Sequence, residues 1–167
     1  MFKRLFIYSI LLASLFCGLA VVQAAGTAVK TKDEVIKQTS WSRPIRVITW
    51  RLSSTSGTSG VSGSTVKAEG VTGVLMGILA TTEDPPTQPD DDYDITIVTD
   101  SNGEDILNGA GADLPKEKNS VENRRTPVDF LNDGPILIFN EDIYPVATNF
   151  NTSDSANSTI TLYVLLP

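Results

Sequence analysis

Apolar residues recur with a period of two in short runs along this chain, and that alternation restricts the folds open to it. In the closing run, residues 158–166, the side chains of Ile160, Leu162, Val164 and Leu166 fall on one face. Alternation of this kind is typical of a β-strand with one buried face. The run therefore predicts a strand that packs one side against a core.

Further runs along the chain have the same character. Residues 45–52 are rich in β-branched and aromatic side chains, and residues 93–99 form another such run. Residues 67–82 are apolar or small on both faces and rich in glycine, which predicts a central strand with bulges or close backbone approaches. Strand signals return at residues 126–131 and 136–139.

Turn-forming residues separate these runs. Residues 83–89 contain three prolines, and the pair Asn102–Gly103 favours a tight turn that leads into a short return strand over residues 104–107. No long helical period follows Trp41. The sequence therefore predicts an all-β fold, an antiparallel β-sandwich or jelly-roll-like single domain.

The first residues have the pattern of an export signal. Lys3 and Arg4 precede an uncharged apolar stretch, and small residues surround Ala24. This pattern predicts a secretory signal peptide cleaved after Ala24, and hence a periplasmic, cell-surface or extracellular protein. The alternatives are an uncleaved anchor, which would be the chain's one contact with a membrane, and a lipoprotein modified at Cys17.

Three segments follow from these observations. Residues 1–24 form the signal peptide, residues 25–42 a polar N-terminal arm, and residues 43–167 the β-sandwich domain. The arm has few apolar positions, so we expect a spacer or docking arm that could hold a short helix over residues 32–37.

The composition of the chain argues against several classes of function. The chain has 13 basic and 20 acidic residues, a net charge of −7, and a phosphate backbone would be repelled by such a surface. Nucleic acid is therefore not an expected partner. Histidine is absent and Cys17 is the one cysteine, which excludes histidine-assisted nucleophiles, His-ligated metals and CxxC redox pairs.

Acidic residues cluster at both ends of the run 93–99. Carboxylate and amide oxygens at alternate positions suit Ca²⁺, so a calcium site is one hypothesis, and no other cofactor is expected. The candidate ligands are Asp91, Asp94, Asp100, Asn102 and Glu104. The spacing does not match an EF-hand loop, since Gly103 is at the fourth position, and solubilising turn acids are the alternative.

Two other kinds of chemistry are weaker. Paired carboxylates could catalyse glycoside hydrolysis, but hydrated acids in turns would keep ordinary pKa values. Substitution of Asp91, Asp94 and Asp105 would have to abolish a detected turnover to support an enzyme. Gly109-x-Gly111 is a fragment of a phosphate-binding loop without its third glycine, and it is better interpreted as a turn. No enzyme is predicted.

Aromatic residues offer a surface for binding carbohydrate. Trp41, Trp50, Tyr144 and Phe150 could stack on sugar rings, or they could pack in the core of a small β-domain. Both interpretations remain open at this point.

Residues 93–112, YDITIVTDSNGEDILNGAGA, resemble a hairpin of the form YD(I/V)TLTDEDGxDVLGGAGAN found in small phage virion structural proteins. The similarity covers roughly residues 44–166, with the hairpin as its specific part. The resemblance implies a β-sandwich that packs against copies of itself or against a shell, with no catalysis and no ligand.

The leading hypothesis is therefore a non-enzymatic structural or assembly protein, exported, phage-virion-like and self-associating, so that a homo-oligomer or assembly partner is expected. Its alternative is an exported carbohydrate- or calcium-dependent binding module, using Trp41, Trp50 or the acids around Asp91.

Overall fold

The computed structural model describes residues 26–37, 43–55, 60–82, 89, 92–109, 111–112, 114, 125–127, 136–150 and 155–167. The expected signal peptide lies outside the described residues. The described part of the chain forms eight strands and no helix: β1 Thr27–Ile36, β2 Ile45–Ser54, β3 Gly60–Ser62, β4 Ala68–Thr82, β5 Asp94–Thr99, β6 Arg125–Pro127, β7 Ile136–Thr148 and β8 Ala156–Leu165. The prediction of an all-β fold is confirmed.

All of the strand pairings are antiparallel, and together they form one sheet in the order β1-β2-β8-β4-β7-β3. β5 also pairs with β7, and β6 pairs with β4. The two longest strands have several partners each. β4 pairs with β7 through its first half and with β8 through its second, so the central position expected for it is confirmed.

The sheet curls around one apolar core. Trp50 of β2 lies opposite Ile160 of β8, and neither side chain is exposed. Ile95 and Ile97 of β5 belong to the same buried cluster, although β5 joins the sheet through β7. The indole Nε1 of Trp50 donates a 2.8 Å hydrogen bond to the carbonyl oxygen of Val66, which satisfies the polar atom of this buried ring.

β4 has the bulges that its glycines predict. Its register shifts between Ala68 and Val71, between Val71 and Gly73 in the pairing with β7, and between Leu75 and Gly77 in the pairing with β8. Gly73 has φ of 149°, and a Cβ there would overlap the carbonyl oxygen of Leu165. The glycine is needed because the backbone of β8 lies against it.

The N-terminal arm is not the free spacer that its polarity suggests. Residues 27–36 form β1, which pairs with β2 from Thr27 opposite Ser53 to Ile36 opposite Ile45, so the helix expected at residues 32–37 is wrong. The edge of β2 offers backbone hydrogen bonds that an isolated short helix could not match. Pairing in the sheet therefore decides the conformation of a segment with few apolar residues.

Two other strand predictions need revision. The strand expected at residues 136–139 continues as β7 to Thr148, because β4, β3 and β5 all pair with it, and Asn140 with φ of 50° accommodates the irregularity. Of the strand expected at 126–131, residues 128–131 lie outside the described part. Among the described residues, no helix is long and apolar enough to span a bilayer.

Candidate functional site

The loop that follows β5 covers the free edge of that strand. Thr99 N–H donates to the carbonyl oxygen of Glu104 at 3.0 Å, and Ile106 N–H donates to that of Ile97 at 2.9 Å. Ile95 N–H donates to Gly111 at 2.8 Å, and Leu114 N–H donates to Tyr93, also at 2.8 Å. These bonds satisfy backbone groups that would otherwise be open to another strand.

The carboxylate of Asp105 organises this loop. Its Oδ1 accepts hydrogen bonds from the N–H groups of Ile97 at 3.0 Å and Leu107 at 3.1 Å, and its Oδ2 accepts one from Gly109 at 3.0 Å. One half-buried carboxylate thus ties β5 to the turn that follows. Sequence reasoning placed Asp105 among the surface acids and missed this role, which only the fold of the loop reveals.

The turn expected at Asn102–Gly103 is present, but the return strand expected at 104–107 is wrong. Asn102 Oδ1 accepts hydrogen bonds from the backbone N–H of Glu104 at 3.0 Å and from the Thr99 hydroxyl, and Gly103 has φ of 75°. Beyond the turn, a single bridge joins Val98 to Asp105. The chain turns there because the N–H groups of Leu107 and Gly109 both donate to the Asp105 carboxylate.

The two glycines of Gly109-x-Gly111 have conformational and steric roles. Gly109 has φ of 81°, in the left-handed region that glycine tolerates best. A Cβ at Gly111 would overlap the carbonyl oxygen of Ile95, which accords with the turn interpretation. Leu107 is buried beneath this crossing.

Tyr93 anchors the start of the segment. Its ring is buried and meets the ring of Phe150 edge to face, with centroids 5.9 Å apart and an interplanar angle of 77°. Burial raises the pKa of Tyr93 to about 12, against a smaller opposing effect of its hydrogen bond with Ser158 of β8. The phenol therefore stays protonated over the ordinary pH range and links β5 to β8.

The structure separates the calcium candidates into two places. Asp94 begins β5, where its Oδ2 accepts hydrogen bonds from Asn149 Nδ2 at 3.0 Å and Thr148 Oγ1 at 3.3 Å. Asp100 follows the other end of this strand. Because six residues of strand span about 20 Å, the two carboxylates cannot enter one coordination sphere. Asp91 lies outside the described residues.

The other three candidates share a turn, but each has a protein partner. Asp100 Oδ2 lies 2.6 Å from Lys67 Nζ, and Asn102 Nδ2 donates to Glu104 Oε2 at 3.2 Å. The hydrogen bond with Asp100 is the main cause that raises the pKa of Lys67. Within the described ranges, no group of three or more His, Cys, Asp or Glu residues is arranged to hold a metal ion. A calcium site stays a prediction.

Asp142 of β7 accepts hydrogen bonds beside the Lys67–Asp100 ion pair. Asp142 Oδ1 accepts a hydrogen bond from Gly70 N–H at 2.8 Å, and the Asp142 carbonyl oxygen accepts one from Asp100 N–H, also at 2.8 Å. Together with the Lys67–Asp100 ion pair, these bonds join the start of β4 and the end of β5 to the middle of β7. The acids of this region that are described here therefore have structural partners.

The candidate sugar-binding aromatics divide by burial. Trp50 and Phe150 are fully buried, so core packing is the correct interpretation for these two. Tyr144 is half-buried on β7, and Trp41 lies outside the described residues.

The surface feature that sequence reasoning did not identify is an apolar patch on β4 and β7. Met76, Leu137 and Phe139 are 55%, 56% and 71% exposed, and Val74 lies directly opposite Leu137. Beside them runs a groove of about 310 Å³ between β7 and the loop after β5, lined also by Ile106, Glu104 and Glu141. The unbroken apolar run Ile136-Leu137-Ile138-Phe139 could have revealed the patch, because a strand with this sequence has apolar side chains on both faces.

A larger groove, of about 570 Å³, lies between β1, β3 and β7. Its lining is small and uncharged, with Ala28, Val61 and Ala147 among its side chains. No titratable side chain lines it, so the groove offers space without a general acid, a general base or a charged ligand group.

Comparisons with known proteins add no further information on function. No protein-family model matches the chain, and neither characterised proteins nor solved structures gave a match. The class that the fold defines is an antiparallel all-β domain with a curled sheet.

Proposed function

We propose that this protein is an exported, non-enzymatic structural protein that assembles with copies of itself, similar in kind to the phage virion proteins that its β5 segment resembles. The observation that carries the proposal is the apolar patch of Met76, Leu137 and Phe139, each more than half exposed. Contiguous exposed apolar surface of this kind marks interaction sites in soluble proteins. Contact with a second copy would remove these side chains from water.

The chemistry of the β5 segment supports a structural role. Tyr93 packs in the core, Asp105 accepts three backbone hydrogen bonds, and Gly111 allows the loop to cross Ile95. Each of these residues has a folding role that needs no substrate. The segment therefore covers the edge of β5, and contacts with other copies are left to other surfaces.

The non-enzymatic part of the proposal draws on the two grooves. The larger has no titratable lining, and the smaller contains Glu104, Asp105 and Glu141, of which Asp105 is engaged with backbone. Ser101 Oγ donates to Glu141 Oε2 at 2.7 Å, and Asn102 donates to Glu104. Both glutamates thus have hydrogen-bond partners within the protein.

The test is the molar mass of residues 25–167 in solution, measured by light scattering over a concentration series. We expect a fixed oligomer or larger assemblies for this chain. The patch variant Leu137→Ser with Phe139→Ser should lower the association constant at least ten-fold, because it removes the exposed apolar groups. The control variant Thr65→Ala with Ser155→Ala changes exposed residues off the patch and should assemble normally.

A strict monomer at every concentration would contradict the proposal. Export is tested separately by expressing the full chain and determining the N-terminus of the secreted product, which should begin at Ala25. Retention of an uncleaved chain in the membrane fraction would instead support the anchor alternative.

A further inference from the structure

Charge is unevenly distributed between the two ends of the strand order. Residues 26–37 and 43–55, which contain β1 and β2, carry six basic and two acidic side chains: Lys30, Lys32, Lys37, Arg43, Arg46 and Arg51 against Asp33 and Glu34. Residues 92–109 and 136–150, which contain β5, its loop and β7, carry seven acidic side chains and no basic one: Asp92, Asp94, Asp100, Glu104, Asp105, Glu141 and Asp142. A protein with a net negative charge thus keeps one basic pair of strands.

The basic end has an open strand edge. β1 pairs with β2, and no other described strand is hydrogen bonded to it. Val29 and Val35 are 54% and 50% exposed, and Ile36 is 36% exposed. This edge strand therefore presents backbone donors and acceptors, apolar side chains, and two lysines, of which Lys30 is paired with Asp33 at 3.0 Å and Lys32 with Glu34 at 2.8 Å. Such an edge is a template for pairing with another chain.

The acidic end has an open strand edge as well. β5 pairs with β7 from Asp94 opposite Thr148 to Thr99 opposite Ile143, so β7 extends past the end of β5. No described strand pairs with residues 136–141 on that side, while β4 occupies the other. The 310 Å³ groove runs along this same stretch, next to exposed Leu137 and Phe139. An added strand would have backbone on one side of it and the loop on the other.

We propose that β1 of one copy docks as an added strand on residues 136–141 of β7 in the next copy, in a head-to-tail contact. The inference rests on the proposed self-assembly and specifies its geometry. Lys32, which exchanges its partner Glu34, and Lys37, which follows β1, meet the acids Glu104 and Glu141, and the exposed apolar residues of β1 meet Leu137 and Phe139. Backbone bonds supply affinity in such strand addition, and side chains supply specificity.

The contact differs from a two-fold dimer in a way that can be measured. A two-fold contact uses the same patch on both copies, whereas a head-to-tail contact uses two different surfaces and leaves one of each free at the ends. A chain of copies continues until it closes into a ring or forms a filament. Blocking one surface should therefore end growth without destroying the other surface.

The experiment uses two blocked variants of residues 25–167. The β1 variant carries Lys32→Glu with Lys37→Glu, and the β7 variant carries Leu137→Asp with Phe139→Asp, all at exposed positions. Each variant alone should be monomeric. An equimolar mixture should form a heterodimer that grows no further, because the intact β7 edge of one variant meets the intact β1 edge of the other.

A second β1 variant, Val29→Ser with Ile36→Ser, leaves the charges in place and should weaken association in the same way. The control Ser155→Asp adds an acid at an exposed site outside both edges and should assemble like the unchanged chain. Circular dichroism of each variant confirms that the sheet is retained.

The outcomes separate the two proposals. If the unchanged chain is a monomer, the proposed function fails and the docking geometry fails with it. If the unchanged chain assembles but the β1 variants assemble equally well, or if the mixture gives no heterodimer, the self-assembly proposal stands and the docking of β1 on β7 is overturned.

Discussion

The Asp105 carboxylate and the absence of a side chain at Gly111 determine how the chain turns back along β5. The Asp105 carboxylate accepts hydrogen bonds from three backbone N–H groups. Because Gly111 has no side chain, its carbonyl oxygen can accept a 2.8 Å hydrogen bond from the N–H of Ile95. One residue acts through hydrogen bonds and the other through lack of volume. Their substitutions should therefore fail for different physical reasons.

Replacement of Asp105 by alanine should lower the free energy of unfolding by about 2–4 kcal/mol, because it leaves several partly buried N–H groups without an acceptor. Asp105→Asn keeps one acceptor oxygen and should cost less. Urea unfolding of residues 25–167 measures the difference. Glu104→Ala is the control, since that exposed side chain accepts a hydrogen bond from Asn102 and none from the backbone of the described residues. An equal loss of unfolding free energy in the two alanine variants would contradict the role assigned to Asp105.

The substitution Gly111→Ala should lower the free energy of unfolding by about 1–3 kcal/mol or more, because the new Cβ would overlap backbone rather than a side chain that can move. Gly77→Ala is its matched control. No atom lies within 4 Å of a Cβ built at Gly77, so that variant should be neutral or slightly more stable. Comparable melting temperatures for the two variants would show that the loop can shift away from Ile95.

At the scale of elements, β1 shows how pairing overrides local pattern. Asp33 of β1 accepts two hydrogen bonds from the Arg46 guanidinium of β2, at 2.8 and 3.0 Å, and a third from Lys30 at 3.0 Å. Partial burial alone would raise the pKa of Asp33, but the hydrogen bonds and charges of Arg46 and Lys30 outweigh it and lower the pKa. A strand whose residues are all half-buried or exposed is thus held partly by its polar side chains.

The lowered pKa of Asp33 fixes the sign of its pH dependence. Its contribution to stability is present above the unfolded-state value of 3.8 and is lost as the pH falls through the lower folded-state value. Asp33→Asn should therefore cost about 0.5–1 kcal/mol at neutral pH and little in strong acid. Urea unfolding at a series of pH values tests this, with Glu34→Gln as the control; a constant difference would rule out the ionised pair as its cause.

The sequence was sufficient for elements whose information is local. The alternation in β8, the β-branched run in β2 and the two apolar faces of β4 each predicted a strand that the structure contains. It was insufficient where a partner decides the outcome. β1 needs the edge of β2, the later part of β7 needs β3 and β5, and the role of Asp105 depends on a loop geometry that no spacing encodes.

Across the whole molecule, the apolar core forms a single cluster, whereas basic and acidic residues are concentrated on different strands. The core is one cluster to which β2, β4, β5, β7 and β8 all contribute, whereas the basic residues of β1 and β2 are separated in the sheet order from the acids of β5 and β7. A single core favours one cooperative folding unit. Charge separation instead affects how copies meet, since long-range attraction between unlike surfaces orients an encounter before contact.

This separation predicts how association responds to salt. Exposed charges are screened over about 10 Å at 0.1 M ionic strength and over about 3 Å at 1 M, so sodium chloride should weaken a contact between the β1 lysines and Glu104 or Glu141. We expect the weight-average mass at fixed concentration, measured by sedimentation, to fall as sodium chloride is raised. Lys32→Gln with Lys37→Gln should remove most of that dependence, because it removes the attraction without adding repulsion between like charges. If the mass rose with salt instead, apolar contact of Leu137 and Phe139 would dominate, and the charge separation would have no part in assembly.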